Sequence, residues 1–423
     1  MERYYLNYLK SITNDPLILK YIDLLKVEID WRFYADGRDL AKKYHWGAKQ
    51  PFLWEVYKIY QELRALLSEK QAVEGTQILT MFKFPSVVDG YHFYSSVSHP
   101  VGKNNIIGDL ATLKLYKFSR DVINNYPFNK ILVPEVLIKL EEYEELLYKL
   151  YFVKKNIRAL FLYTDQYFWA KQHINLFRKI NRPSFIFVHG LPPYYPLDAD
   201  NQSDYLMVWG EKMKQNYIDC GFNRDKIRVI GNFRYKDVVF YDSLKNNTDD
   251  VLVVLTSTRV WHQDTWGSIP IISDPGSTLL YIGQIENVLK QLGVKHARLR
   301  PHPSINKQWL YSIIDPNFYE IDKQDLTSSL LRSTLVIGPT STVSIESIMY
   351  GVNYIVYEPC DEKNNNFVNR NLAPPFDGSD PYLCVANTED ELLHLIKGRY
   401  CSSSSLLKEY MQPFVPQVLK ELI

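Results

Sequence analysis

Cysteine is scarce in this chain: four in 423 residues, Cys220, Cys360, Cys384 and Cys401, with no Cys-x-x-Cys pair among them. Such spacing excludes a disulfide scaffold and argues against a zinc site; it reads as reduced, mostly structural thiols. An excess of charge is missing too. The 49 basic and 48 acidic side chains leave a net charge of +1, so there is no general field for gripping nucleic acid. No apolar run approaches the roughly 20 residues needed to cross a bilayer. The opening "MERYYLNYLKSITNDP" lacks the apolar core of a signal peptide. These absences predict a cytoplasmic chain whose contact with a membrane is peripheral.

What is present is globular. Hydrophobic residues at 46% and charged residues at 23% exclude extended disorder. The length predicts two domains of about 200 residues each. Tyrosine is abundant at 32, but Lys, Asn and Ile are frequent as well, so the tyrosines reflect biased composition and carry no functional weight.

Residues 1 to 75 read as mainly helical, with "PFLWEVYKIYQELRALLSEK" starting on Pro51. From "TQILTMFKFP" onward, strands and helices alternate. The amphipathic "KLEEYEELLYKLYFVKKN" leads to the strand "RALFLYTD", the helix "QYFWAKQHINLFRKI", the strands "PSFIFVHG" and "DYLMVWG", the helix "EKMKQNYIDCG" and the strand "IRVIGN". The polar "YDSLKNNTDD" reads as a linker. A second series follows in "VLVVLTSTR", "GQIENVLKQLG", "ARLRPHP", "STLVIGPTST", "VSIESIMYG", "VNYIVYEP" and "EDELLHLIKG". Alternation of this kind predicts parallel sheets with helices on both faces. The fold class is therefore α/β, two Rossmann-like domains facing a cleft, residues 1–245 with a helical N-terminal extension and residues 246–423 with a C-terminal helix. "CSSSS" at 401–405 marks a junction, and the helix after it either packs on the first half or leads towards further domains.

Ligands of open α/β sheets bind at the carboxyl ends of the strands. "RLRPHPS" places Arg300, His302 and Pro303 there, with His302 able to donate to a leaving phosphate; the competing reading is a loop histidine. "VIGPTSTVSIESIMYG" ends a strand at Gly338 and continues through Thr340, Ser341 and Thr342 into a helix. Amides and hydroxyls there suit a phosphate, and Glu346 one turn on suits ribose hydroxyls, whereas ordinary capping by Thr342 needs no ligand. In "TSTRVWH", Ser257 and Arg259 are donor-contact candidates or plain loop residues. In the first half, His189 of "FVHGLPPYYP" can handle a proton near the cleft or merely orient its loop, and Asp165 of "FLYTD" can serve chemistry or cap a helix. Asp198 and Asp200 spell Asp-x-Asp, but in the polar loop "PLDADNQSD", so a metal role is not expected.

Two tandem Rossmann-like halves suggest the GT-B architecture of nucleotide-sugar glycosyltransferases. "RPHPS" followed by "GPTSTVSIES" resembles the His-Pro and Ser/Thr motifs of bacterial GT-B transferases that use CMP-activated ulosonic acids. The whole layout looks like the retaining β-Kdo transferase module of WbbB-type O-antigen proteins. That resemblance implies CMP-Kdo as donor with no metal cofactor, a lipid-linked polysaccharide as acceptor, action at the inner face of the inner membrane, and further transferase domains in a full-length protein. It implies that His302, Ser341 and Thr342 engage the CMP phosphate. The Asp-Asp-Gly general-base motif of inverting relatives has no counterpart: "TDQ" lacks the glycine and "VDG" has one acid.

The segment "RVIGNFRYKD" sharpens the expectation. Retention by two inversions needs a side-chain nucleophile. The resemblance puts an Asp in the segment aligned with "GNFRY", where this chain has Asn232. An amide keeps the shape and loses the charge, which implies an inactivated variant that holds ligands without turnover. The competing reading is a native turn residue. Arg234 suits the ulosonate carboxylate, or is a surface arginine. An inverting CMP-sialic acid or CDP-polyol transferase and a non-catalytic carbohydrate-binding module remain the alternatives.

Overall fold

The computed structural model describes residues 2–26, 75–82, 84, 90–96, 110–126, 130–192, 195, 201–235, 241–255, 260–261, 272–273, 275–302, 307–359 and 372–423. The helix expected over 51–70 lies outside them. The first half holds β1 (Thr76–Thr80), β2 (Tyr91–Ser95), β3 (Ala159–Leu162), β4 (Ser184–Phe187), β5 (Tyr205–Val208) and β6 (Ile227–Val229) in the order β2-β1-β3-β4-β5-β6. The second holds β7 (Val251–Val254), β10 (Ala297–Arg300), β11 (Tyr319–Ile321), β12 (Leu335–Gly338), β13 (Tyr354–Tyr357) and β14 (Cys384–Ala386) in the order β11-β10-β7-β12-β13-β14. Every pairing in both sheets is parallel. A short antiparallel pair, β8 (Val260–Trp261) with β9 (Ile272–Ser273), stands apart.

The reason for this layout is written in the strands. "ALFL", "SFIF", "VLVV" and "YIVY" are buried at every position. Strands apolar on both faces need helices above and below, and parallel crossovers supply them. Those of the first half are α1 (Glu2–Ile12), α2 (Pro16–Leu24), α3 (Leu110–Asn125), α4 (Pro134–Tyr148), α5 (Phe168–Arg178) and α6 (Glu211–Asp219). The second half adds α7 (Pro275–Gln291), α8 (Lys307–Ile313), α9 (Leu326–Arg332), α10 (Val343–Met349) and α11 (Glu389–Lys397). Local chemistry sets several starts. Asp15 accepts from the Leu17 and Ile18 amides, and Thr388 accepts from the Glu391 amide while Glu391 accepts from the Asn387 amide. The helix expected at 139–156 begins earlier, at Pro134, and its last turn widens into a π-turn over Lys149–Lys154.

The chain then returns to its first half. α12 (Ser405–Tyr410) packs on α6, and α13 (Gln417–Leu422) buries Leu419 with Ile78, Phe161 and Phe185 of the first sheet. Two parallel Rossmann-like sheets with a tail crossing back make this the GT-B architecture. At the junction Ser402 is buried and ties three segments, donating to the Tyr354 carbonyl and accepting from the Cys384 amide while its own amide bonds Asn353.

His173 of α5 is fully buried between Trp169, whose carbonyl lies 2.6 Å from Nδ1, and Tyr151, whose hydroxyl lies 2.9 Å from Nε2. The carbonyl can only accept, so the proton sits on Nδ1 and the ring is neutral. Burial pushes its pKa from 6.5 down to about 4, against weaker raising effects from Trp169 and Glu144. Between those two values the unfolded chain binds a proton that the folded chain does not. Stability therefore falls as pH drops through that window, by roughly 3 kcal/mol in full. Urea titrations from pH 7 to 4 should show this loss, and His173→Gln should flatten it. An equal slope in the variant assigns the acid sensitivity to other groups.

Candidate functional site

Because all strands in each sheet run parallel, their carboxyl ends share one edge, and the two edges supply two walls. The first wall is built from the ends of β3, β4 and β6. Tyr163 follows β3 with its ring stacked on Phe82 at 3.7 Å, and its phenol oxygen accepts from Arg234 Nη2 at 2.9 Å. The guanidinium carbon lies 5.3 Å from the centre of the same ring. Hydrogen bond and π-face together hold an exposed Arg234 in one orientation. Its side chain forms no ion pair with an acid among the described residues.

His189 follows β4, its ring 5.5 Å from that of Tyr163. It opens to solvent, yet the protein around it lowers its pKa, first by desolvation and then by the charge of Arg234, against a hydrogen bond to the Tyr163 backbone. At neutral pH it is thus a neutral imidazole, able to take a proton.

Asn232 is buried after β6. Its Oδ1 accepts from the Arg234 amide at 2.9 Å and its carbonyl from the Tyr235 amide at 3.2 Å, so the side chain does shape the turn. Its Nδ2 is buried with no hydrogen-bond partner among the described residues. Preceding it, Gly231 has φ +79°, and a Cβ there would lie 2.3 Å from the Pro413 carbonyl oxygen. The returning tail presses on this turn: the Gln412 amide donates to the Trp209 carbonyl, and that of Val415 to the Ile230 carbonyl. Asp165 is elsewhere engaged. It is fully buried, and its Oδ2 accepts from the Gln202 amide at 2.6 Å, pinning that loop.

The second wall is the loop from Gly338 to Thr342 with α10. Tyr354 donates to the Pro339 carbonyl at 2.6 Å, packing its phenol against Gly338. Thr340 donates through both its amide and its hydroxyl to Glu358 Oε1, at 2.6 and 2.9 Å. Glu358 is buried just past β13 and belongs to the scaffold of this loop. Ser341 Oγ accepts from the Val343 amide at 3.3 Å. Thr342 makes no capping bond to its own helix. Instead its Oγ1 accepts from the Leu191 amide of the first wall at 3.2 Å. Gly190 allows that approach, since a Cβ there would meet Thr342 Oγ1 at 2.7 Å. A second bond crosses at Glu346, whose Oε1 accepts from the Tyr235 hydroxyl at 2.7 Å.

The structure thus brings Asn232, Arg234 and His189 together on one wall and joins it directly to Thr342 and Glu346 on the other. Arg300 has work inside its own half, where Nη1 pairs with Asp322 at 3.1 Å and bonds the Gln324 carbonyl and Ser329 Oγ. His302 is exposed after β10, with enough protein around it for desolvation to lower its pKa. Pro303, Ser257, Arg259, Asp198 and Asp200 lie outside the described residues. Among the described residues no group of three or more His, Cys, Asp or Glu could hold a metal ion, and no helix is long and apolar enough to cross a membrane. Sequence reasoning passed over Tyr163, Tyr235 and Glu358. Tyr163 in "FLYTD" and Glu358 in "IVYEP" stand just past strand ends, and Tyr235 in "NFRY" closes the turn after β6, which was the available signal.

No family model matches the chain, and no curated protein matches it. Solved structures of similar chain path do exist. A UDP-GlcNAc 2-epimerase from Neisseria meningitidis bound to UDP-GlcNAc is 12% identical, over 82% of this chain and 99% of its own, with a TM-score of 0.43. The lipopolysaccharide outer core galactosyltransferase WaaB is 9% identical, over 82% and 99%, at 0.41. The wall teichoic acid polymerase TagF, carrying H444N and soaked with CDPG, is 14% identical, over 88% and 95%, at 0.42.

Proposed function

We propose that this chain is a glycosyltransferase that moves β-Kdo from CMP-Kdo to a lipid-linked O-antigen polysaccharide with retention, carrying an amide where the reaction needs its nucleophile. The observation that carries the reading is the pair of bonds joining the walls, Leu191 to Thr342 and Tyr235 to Glu346, which sets the candidate donor loop against Asn232, Arg234 and His189. In this reading the CMP phosphate lies on Thr340, Ser341 and Thr342 with His302 donating to it, and Glu346 takes a ribose hydroxyl. One phosphate needs no metal to bridge it.

The ulosonate carboxylate pairs with the free edge of Arg234, which Tyr163 holds in place. A carboxylate at position 232 attacks the anomeric carbon from the face opposite the phosphate. The carbon–oxygen bond to CMP breaks, and CMP leaves with the electron pair. The acceptor hydroxyl then attacks the glycosyl-enzyme ester, its proton passing to the neutral His189 and the carboxylate departing. With Asn232 the first step fails and binding remains. Residues 246–423 carry the donor side and 1–245 the acceptor side. The polysaccharide arrives at the inner face of the membrane, where further transferase domains of a longer protein also act.

The test is thermal. A ligand that binds only the folded state at 100 times its Kd adds about 2.7 kcal/mol, so CMP should raise the melting temperature well above the shifts given by UMP and GMP. Equal shifts remove the cytidine assignment. Screening CMP-Kdo against CMP-sialic acid and CDP-glycerol then separates the ulosonate reading from the related donors.

A further inference from the structure

Tyr235 is the one residue of the first wall that donates a side-chain hydrogen bond to the second among the described residues of these two walls. Its hydroxyl lies 2.7 Å from Glu346 Oε1, and its ring stands edge-on to Trp209 with centroids 6.3 Å apart. Burial, and next the charge of Glu346, raise the phenol's pKa, so at neutral pH it is always the donor. Glu346 also stands in the first turn of the helix that follows the loop read above as the donor cradle, and in that reading it accepts a ribose hydroxyl. A phenol and a ribose hydroxyl are the same to a carboxylate: each offers one O–H.

Tyr235 also belongs to the turn of Asn232 and Arg234. Its amide donates to the Asn232 carbonyl at 3.2 Å, and Asn232 Oδ1 in turn accepts from the Arg234 amide. Whatever moves the Tyr235 phenol therefore pulls on the segment that carries the reacting position and the carboxylate-binding arginine. Close by, Leu191 and Thr342 make the other bond between the walls, one that a separation of the walls would break.

We propose that Tyr235 is an internal competitor for the donor, its phenol occupying on Glu346 the place that a ribose hydroxyl takes, so that donor capture exchanges one hydroxyl for another and releases the turn of Asn232 and Arg234. The role of Glu346 towards ribose rests on the function proposed above; the latch between the walls does not. In the free protein the bond keeps the walls together and the first-wall turn fixed. In the bound protein Glu346 is satisfied by the nucleotide, and the turn adjusts against the sugar.

Two measurements on the full chain test this and fail separately. Without ligand, hydrogen exchange at the Leu191 amide should accelerate about tenfold in Tyr235→Phe and also in Glu346→Gln, because each weakens a charge-assisted bond across the cleft. Unchanged exchange in both variants overturns the latch. Glu346→Gln keeps the size of the side chain and so guards against a loss of folding in the tyrosine variant. With ligand, calorimetric titration of CMP into Tyr235→Phe should give a Kd about tenfold lower than in the parent chain, the internal competitor being gone. Equal or weaker binding in that variant overturns the competition. If CMP fails to bind the parent and both variants while exchange at Leu191 still accelerates, the donor reading fails, the competition falls with it, and the latch stands.

Discussion

Under the proposed function, Asn232→Asp should raise β-Kdo transfer by at least about a thousandfold and leave CMP binding where it was. The turn survives the change because Oδ1 goes on accepting from the Arg234 amide, at 2.9 Å in the parent. What changes is the other side-chain atom, now a buried Nδ2 without a partner among the described residues. An oxygen in its place brings negative charge into a buried site, and the Arg234 guanidinium two residues on helps to offset the cost. The amide nitrogen's lone pair is delocalised into the carbonyl and the amide oxygen is a poor nucleophile, so in the proposed reaction the parent chain should stop before the glycosyl-enzyme. After a pulse of CMP-Kdo, mass spectrometry of the Asp variant should find Kdo on a peptide containing residue 232. No gain from the substitution, with ordinary transfer by the parent, would sink the double displacement. Asp165 is the next nucleophile to test, although its Oδ2 already serves the Gln202 amide.

Arg298→Ala should lower stability by about 3 kcal/mol, more than any surface charge in the chain. Arg298 is buried on β10, with Nε 2.6 Å from Asp250 Oδ1 and Nη2 bonded to the Ser329 carbonyl and to Ser333 Oγ. Asp322 lies 3.9 Å from Nη1, near enough to feel the charge. Truncation takes a donor from Asp250 and a neighbouring positive charge from Asp322 where little water reaches, while the Ser329 carbonyl keeps its bonds from Ser333. Arg332 still pairs with Asp250, and Arg300 with Asp322, which keeps the loss towards the lower end of the range for broken buried pairs. Urea unfolding measures it. A loss under about 1 kcal/mol would mean those two neighbours suffice and Arg298 is redundant.

The same network explains a limit of reading "RLRPHPS". Position after a strand marks Arg300 as a ligand candidate, and the strand is where the pattern puts it. That its Nη1 is spent on Asp322, Gln324 and Ser329 depends on β11 and α9, neither of which the apolar periods of the sequence announce. The opposite error occurred at "FLYTD" and "NFRY". Their tyrosines carried no weight in a chain so rich in tyrosine, yet Tyr163 holds Arg234 and Tyr235 reaches Glu346. Composition dilutes a signal that geometry restores.

By itself the sequence determined the α/β class and the two alternating series, because strands buried on both faces must be apolar throughout and must be joined by helices. It also placed Asn232, Arg234 and His189 after strand ends, and Thr342 and Glu346 at the start of a helix that follows one, among candidates that included Asp165, Arg300 and His302. Only the tertiary structure decided how those ends meet. The bond from Leu191 to Thr342, the bond from Tyr235 to Glu346, the grip of Glu358 on Thr340 and the return of the tail past Gly231 join residues far apart in the chain. Local periodicity has no term for such contacts, since they form only once neighbouring strands, the two sheets and the returning tail have come together.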